Sequence, residues 1–256
     1  MPDKQQAVQR LLYQLALGVQ IRTHANADAD RCLARQHLRQ WQSDRLARTH
    51  GEFLAIERYR AAAIFFLTDL YGPTDLSQRY AEAERVLPLM VRMLPGGALS
   101  VIADAIELDA LCESLDADMV TALGSDHQSI SDRTYGDAYR RIGRHADRVK
   151  QITLIKDLGE TLDHLARLPM VKGTLHRMHL PARLLGLGEL QSFLERGFDS
   201  FSVMNGADHF IATIVQRETI LSRALFAGDD SLLGYPAEQW PAEATDPQEP
   251  RSAKTS

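Results

Sequence analysis

Arg58-Tyr-Arg-Ala-Ala-Ala-Ile-Phe-Phe-Leu-Thr-Asp-Leu-Tyr-Gly-Pro-Thr-Asp75 is the stretch whose reading decides the fold. Between positions 61 and 67 every residue is apolar, so about two helical turns carry no polar face. A helix that is apolar all round belongs inside a protein rather than on its surface. Charges stand at both ends of the run, with Glu57, Arg58 and Arg60 before it and Asp69 and Asp75 after it. The segment reads as the central helix of a bundle, with polar groups gathered at its mouth.

Working outward, helical periodicity continues in both directions and no alternating strand of useful length occurs. The spacing predicts helices over 3–22, 29–48, 52–71, 75–94, 98–123, 132–167, 187–204 and 207–227, with a shorter, broken one near 170–185. Gly72-Pro73 stops the central helix, because glycine accepts a left-handed terminus and proline cannot continue. Asp75 with Gln78 makes a capping-box-like restart. Pro95-Gly96-Gly97 ends the next helix, and Ser131 or Asp132 caps the one after the polar loop at 124–131. The expected fold is all-α, a single multi-helix bundle of about eight helices around a buried central helix, without a β-sheet. It should occupy residues 1–233. Four of the ten prolines fall in 234–256 among polar residues, so that stretch is expected to be a disordered tail, dispensable for folding.

The 256 residues are 45% hydrophobic and 25% charged, ordinary for a soluble globular chain. A net charge of −5 argues against a dedicated nucleic-acid binder. Cys32 and Cys112 stand alone, with no CxxC or CxxH pair, so reduced thiols are expected rather than a disulfide framework or structural zinc. The N-terminal apolar patch at 11–17 is interrupted by Gln14 and lacks a cleavage site, and no run approaches the length of a membrane span. A cytoplasmic protein is expected.

Candidate chemistry is sparse. Asp69 lies in the last turn of its helix, where the dipole disfavours an anion, so it calls for a cation. Arg79 is the nearest in sequence, with Arg58, Arg60 and Arg217 as alternatives. Between positions 101 and 120 there are six acidic residues and no basic one, and Asp109, Glu113 and Asp116 share a face. None of the nine histidines has an acidic residue three places before it, so the di-metal signature fails and a solvated acidic face is expected. The Arg140, Arg144 and Arg148 stripe, beside Tyr135 and Tyr139, suits phosphate or carboxylate, but is better matched by that acidic helix folding back on it. His176 and His179 precede Pro181 and read as a surface turn. Phosphate loops, dinucleotide fingerprints and nucleophile elbows are absent.

The Arg58-Tyr-Arg-Ala-Ala and Phe65-Phe-Leu-Thr-Asp-Leu-Tyr-Gly-Pro-x-Asp75 pattern resembles the FFLEELY-motif proteins, a family of uncharacterised bacterial proteins. The resemblance continues through Glu113-x-x-Asp116-x-x-Met119, Met178-x-x-Pro-Ala182, Phe193-Leu-Glu-x-Gly-Phe198 and Arg217-Glu218, covering most of 45–227. The eponymous Glu-Glu is Thr68-Asp69 in this chain, so only the second carboxylate is kept. The resemblance implies an all-helical cytoplasmic protein and brings no activity with it.

The leading expectation is a non-catalytic helical protein that binds a partner or a small ligand near the end of the central helix. Arg58, Arg60, Asp69, Tyr71, Arg79, His179 and Arg217 are the candidate contacts. The alternative is a helical-bundle enzyme, with or without a metal held by carboxylate and histidine ligands; a homo-oligomer is a third. A cavity lined by Arg58, Asp69, Tyr71 and His179 would favour a ligand, and a filled core with an apolar surface patch would favour a partner. No cofactor is implied. Protein purified without a histidine tag should carry no tightly bound transition metal; near-stoichiometric iron, manganese or zinc by elemental analysis would overturn this.

Overall fold

In the computed structural model the described residues are 4–26, 28–70, 77–93 and 96–241, and among them there are eleven α-helices and no strand. In chain order these are α1 (Lys4–Asn26), α2 (Ala29–Thr49), α3 (Glu52–Ala55), α4 (Glu57–Phe65), α5 (Ser77–Met93), α6 (Gly96–Leu123), α7 (Asp132–Ile142), α8 (His145–Ala166), α9 (Pro169–Leu184), α10 (Gly188–Met204) and α11 (Asp208–Ala227). A π-helical turn (Phe66–Leu70) extends α4, and two short 3-10 turns, Ser231–Gly234 and Ala237–Gln239, follow α11. The all-α expectation holds. The stop and restart read at 72–75 lie outside the described residues.

Two predicted helices are each broken in the structure, for local reasons. The helix expected at 52–71 interrupts at Ile56, whose ψ of 113° is extended and separates α3 from α4. The helix expected at 132–167 interrupts at Gly143, which adopts φ +61°, a left-handed conformation that glycine accepts without the Cβ penalty. Ser131 is the cap of α7, and its side chain and that of Thr134 reciprocate in a capping box.

Helix α6 is the spine, packing against α1, α2, α7 and α8. Its acidic face was expected to be solvated; instead Glu113 is 3% exposed, and Glu107 and Asp116 are also buried. The carboxylates are buried because cations from distant helices reach them. Arg35 of α2 stands 3.1 Å from Glu113, which also takes a short charged hydrogen bond from Arg39. Arg39 Nε reaches Asp116 at 3.2 Å, and Arg22 of α1 pairs with Asp109. Arg10 joins Asp104 at 2.6 Å and also binds Glu107, which Lys150 of α8 meets at 2.5 Å. Burial alone would raise the Glu113 carboxyl, but Arg39, Arg22 and Arg35 hold it below the usual carboxylate range. At Asp116 burial wins, helped by the neighbouring Glu113 charge, and that carboxyl is raised despite Arg39 and Arg148.

The basic stripe is matched only in part by α6. Arg144 bonds Asp118 at 2.7 Å, but Arg140 turns away to Asp230 at 2.6 Å and Arg148 is buried over the Tyr139 ring, 4.6 Å from its centroid. Nearby, Gln151 donates to the Cys112 sulfur at 3.0 Å. Burial, with Asp116 and Asp109 beside it, pushes the Cys112 thiol up to about 12.

The apolar run at 61–67 is covered on most sides. Ala62, Ala63 and Phe65 are buried, while Ile64 is 46% exposed. Helix α10 lies close against this run at Gly197, where a Cβ atom would stand only 2.9 Å from Phe65 Cζ. One core cluster joins Phe53, Tyr59 and Ala62 to Phe201, Met204 and Phe210. A second joins Leu38, Met119, Tyr135, Leu221 and Leu233, and includes Trp240.

That last residue lies beyond the boundary expected at 233. Trp240 is 7% exposed, and its indole N–H donates to the carbonyls of Leu232 (3.2 Å) and Tyr235 (3.3 Å). The packed body therefore runs at least to Trp240, while 242–256 lie outside the described residues. The composition of this stretch hid a single large aromatic anchor among prolines and acids. Trp240→Ala should cost about 3 kcal/mol and lower the thermal midpoint by roughly 10 °C. An unchanged midpoint in a calorimetric scan would show that the segment does not contribute to the core.

Candidate functional site

Arg58, Arg60 and Arg217, three of the candidate contacts, each close a helix end. The final carbonyls of an α-helix lack internal partners, and cations suit that terminus. Arg58 Nε donates to the Met204 carbonyl at 2.5 Å, and its Nη2 donates to Gly206 at 2.7 Å, so it caps α10. Arg60 donates to the Leu54 carbonyl at 2.8 Å and closes α3. Arg217 donates to the Thr49 carbonyl at the end of α2 at 3.2 Å and pairs with Glu52 at 2.7 Å. Arg58 and Asp69 stand at opposite ends of the 57–70 helical segment, roughly 16 Å apart along its axis.

Asp69 and His179 do come together, through α10. Asp69 accepts two bonds from Arg196, at 2.6 Å from Nη2 and 3.1 Å from Nε. This partner was not among the sequence candidates, being 127 residues away in the chain. Tyr71 and the side chain of Arg79 lie outside the described residues. His179 Nδ1 is 2.8 Å from Glu195, the residue next to Arg196. Glu195 also accepts from Gln191, whose amide donates to the Leu175 carbonyl as well. Burial would raise the Glu195 carboxyl, but Gln191 and His179 lower it. Consecutive α10 residues thus tie the mouth of α4 on one side and α9 on the other.

Helix α10 is fixed at both termini. Buried Glu82 of α5 accepts the Leu190 N–H at 2.8 Å at the start, where a carboxylate suits the helix dipole. Arg58 holds the end. Helix α9 is held much more loosely. Ala182 is buried, Val171, Leu175 and His179 are half-buried, and the outer face is open. Leu180, Leu184 and Leu185 are 66%, 79% and 64% exposed, and Leu180 and Leu184 are one turn apart. From 168 to 188 there is no acidic residue. Lys172 and His176 are answered by Asp199 of α10, each at 3.7 Å, whereas Arg177 and Arg183 make no ion pair among the described residues. Leu180 and Leu184 therefore share the outer face of α9 with two uncompensated guanidinium groups.

The family described as Domain of unknown function (DUF8198) matches residues 20–232. This chain belongs to that family. The DUF8198 match includes the Arg22, Arg35 and Arg39 cluster, α9 and α10, and stops before Trp240. No curated protein and no solved structure matches the chain. Among the described residues no helix is long and apolar enough to cross a membrane.

Sequence reasoning passed over Arg196, Glu195 and the open leucines of α9. The pattern of 168–188, cations and leucines without a single acid, was the available signal. Because Arg196 is about half exposed, its pairing with Asp69 is screened by solvent, and a double-mutant cycle of Asp69→Asn with Arg196→Met should give a coupling of about 0.5 kcal/mol. That is weaker than the buried pair the sequence suggests. Strict additivity in chemical denaturation would show that the two side chains do not act together.

Proposed function

We propose that this DUF8198 protein is a non-catalytic helical protein that docks a partner protein beside the C-terminal end of α4, and that the docking face is the outer side of α9. One observation carries the reading: two leucines of a peripheral helix and the leucine that caps it stand more than half exposed, beside cations that nothing among the described residues neutralises. Contiguous exposed apolar surface rimmed by polar groups marks interaction sites. The filled core around α4 and α10 supports a partner over a ligand buried at the helix mouth.

The chemistry of the face selects the partner. Leu180 and Leu184 suit the apolar stripe of an amphipathic helix, while Arg177 and Arg183 at the rim suit carboxylates on that helix. Asp69, Arg196, Glu195 and His179 then serve as the positioning residues that keep α9 and α10 in register. Consistent with this role, the motif at 65–69 that resembles the FFLEELY proteins supplies Phe65 to the α10 contact and Asp69 to Arg196. We accordingly assign the chain to the FFLEELY-motif group and to the cytoplasm, where a reduced Cys32 and Cys112 are at home.

A photo-crosslinking amino acid at position 184, introduced in the native host, should capture one discrete protein through an acidic amphipathic helix, while the same group at exposed Lys156 should not. Arg177→Glu with Arg183→Glu should abolish that crosslink with a stability change within about 0.5 kcal/mol, as for other surface substitutions. Equal yields from the two positions, or crosslinks to a second copy of the chain alone, would overturn the assignment.

A further inference from the structure

On a different face, a groove of about 270 Å³ opens between α3, α11 and the segment that carries Trp240. Its polar floor is the Glu52–Arg217 pair, and His209, Thr213 and Gln216 line one side on successive turns of α11. None of those three makes a side-chain hydrogen bond among the described residues. Ile220, Ala237 and Trp240 form an apolar wall. Behind Arg217, the end of α2 and its cap hold buried Arg45 Nε, Arg48 Nε, Thr49 Oγ1 and His50 Nδ1, which have no hydrogen-bond partner among the described residues. Here Glu218 accepts from Arg45 at 2.5 Å and from His50 at 3.0 Å, and these override burial to lower its carboxyl to about 2.

We propose that this groove binds a small zwitterion, an α-amino acid with an apolar side chain. Glu52 and Arg217 are both largely shielded from solvent, so an incoming ligand with one charge would leave the opposite protein charge without compensation. A molecule that carries a carboxylate and an ammonium group replaces both partners at once. The carboxylate meets Arg217 and the ammonium meets Glu52, both of which line the groove. Gln216 and Thr213 supply the remaining hydrogen bonds, and the side chain lies against Ile220 and Trp240.

Isothermal titration of the full chain with L-leucine, leucinamide and N-acetyl-leucine tests the charge requirement directly. L-leucine should bind with a Kd of about 1 mM or tighter, and each capped analogue at least about tenfold more weakly. Arg217→Gln should abolish binding; because it also removes the α2 cap, Thr213→Phe serves as a second variant, filling the groove without touching either charge or the cap. That variant should retain the native circular dichroism spectrum and lose leucine binding. Absence of leucine binding at about 10 mM, equal binding of the capped analogues, or undiminished binding by Thr213→Phe would each overturn the proposal.

Discussion

The charge on Glu113 is the constraint that organises this bundle. A carboxylate this deeply buried is tolerated only when cations and hydrogen bonds replace the water it has lost. Arg35 and Arg39 of α2 meet it directly, and Arg22 of α1 approaches at 3.5 Å while binding Asp109. Three guanidinium groups from two helices are thereby fixed against one face of α6. Sliding either helix by a turn would leave buried charge on both sides uncompensated. Such a cluster contributes modestly to net stability after desolvation, but it penalises wrong registers heavily. The apolar clusters on either side of α6 supply the cohesion, and the ionic seam selects which packing they adopt.

Much of this architecture was legible because it depends on local pattern. Apolar spacing located nearly every helix, and Ser131 announced the start of α7 through side chains three residues apart. Breaks that need only backbone preference were harder to place: Gly143 is an ordinary glycine in sequence, and only its positive φ divides α7 from α8. The burial of Glu113 and Asp116 could not be read from their own helix. Six acids without a base describe a solvated face and a charged interior equally well until the residues opposite them are known. The same holds for Asp69, whose partner Arg196 follows 127 residues later.

The residue types of the candidate site were legible, whereas the helix ends that Arg58, Arg60 and Arg217 close were not, because those carbonyls lie on other elements. Arg58, Arg60 and Arg217 flank apolar helices, a position that suits anion recognition and also suits capping of carbonyls. In the structure each guanidinium group meets the end of a different helix. Only Arg217 keeps a second face, toward the groove it shares with Glu52. Helix α10 shows how such contacts add up: a carboxylate meets its start and an arginine its end, and α9 is tied to it through His179, Gln191 and the pairs of Lys172 and His176 with Asp199. These contacts are thus concentrated behind the surface that remains open.

The cluster around Trp240 also bears on how the chain is made. Leu38 of α2 shares that cluster with Leu233 and Trp240, so the early and late parts of the chain close one core together. During synthesis α2 emerges first and must wait for some two hundred residues before its last neighbours arrive. Until then the facing side of Leu38, with Trp41 beside it, remains wetted. A nascent chain carries this seam uncovered until Trp240 is made, and translation pauses ahead of Trp240 would lengthen that exposure.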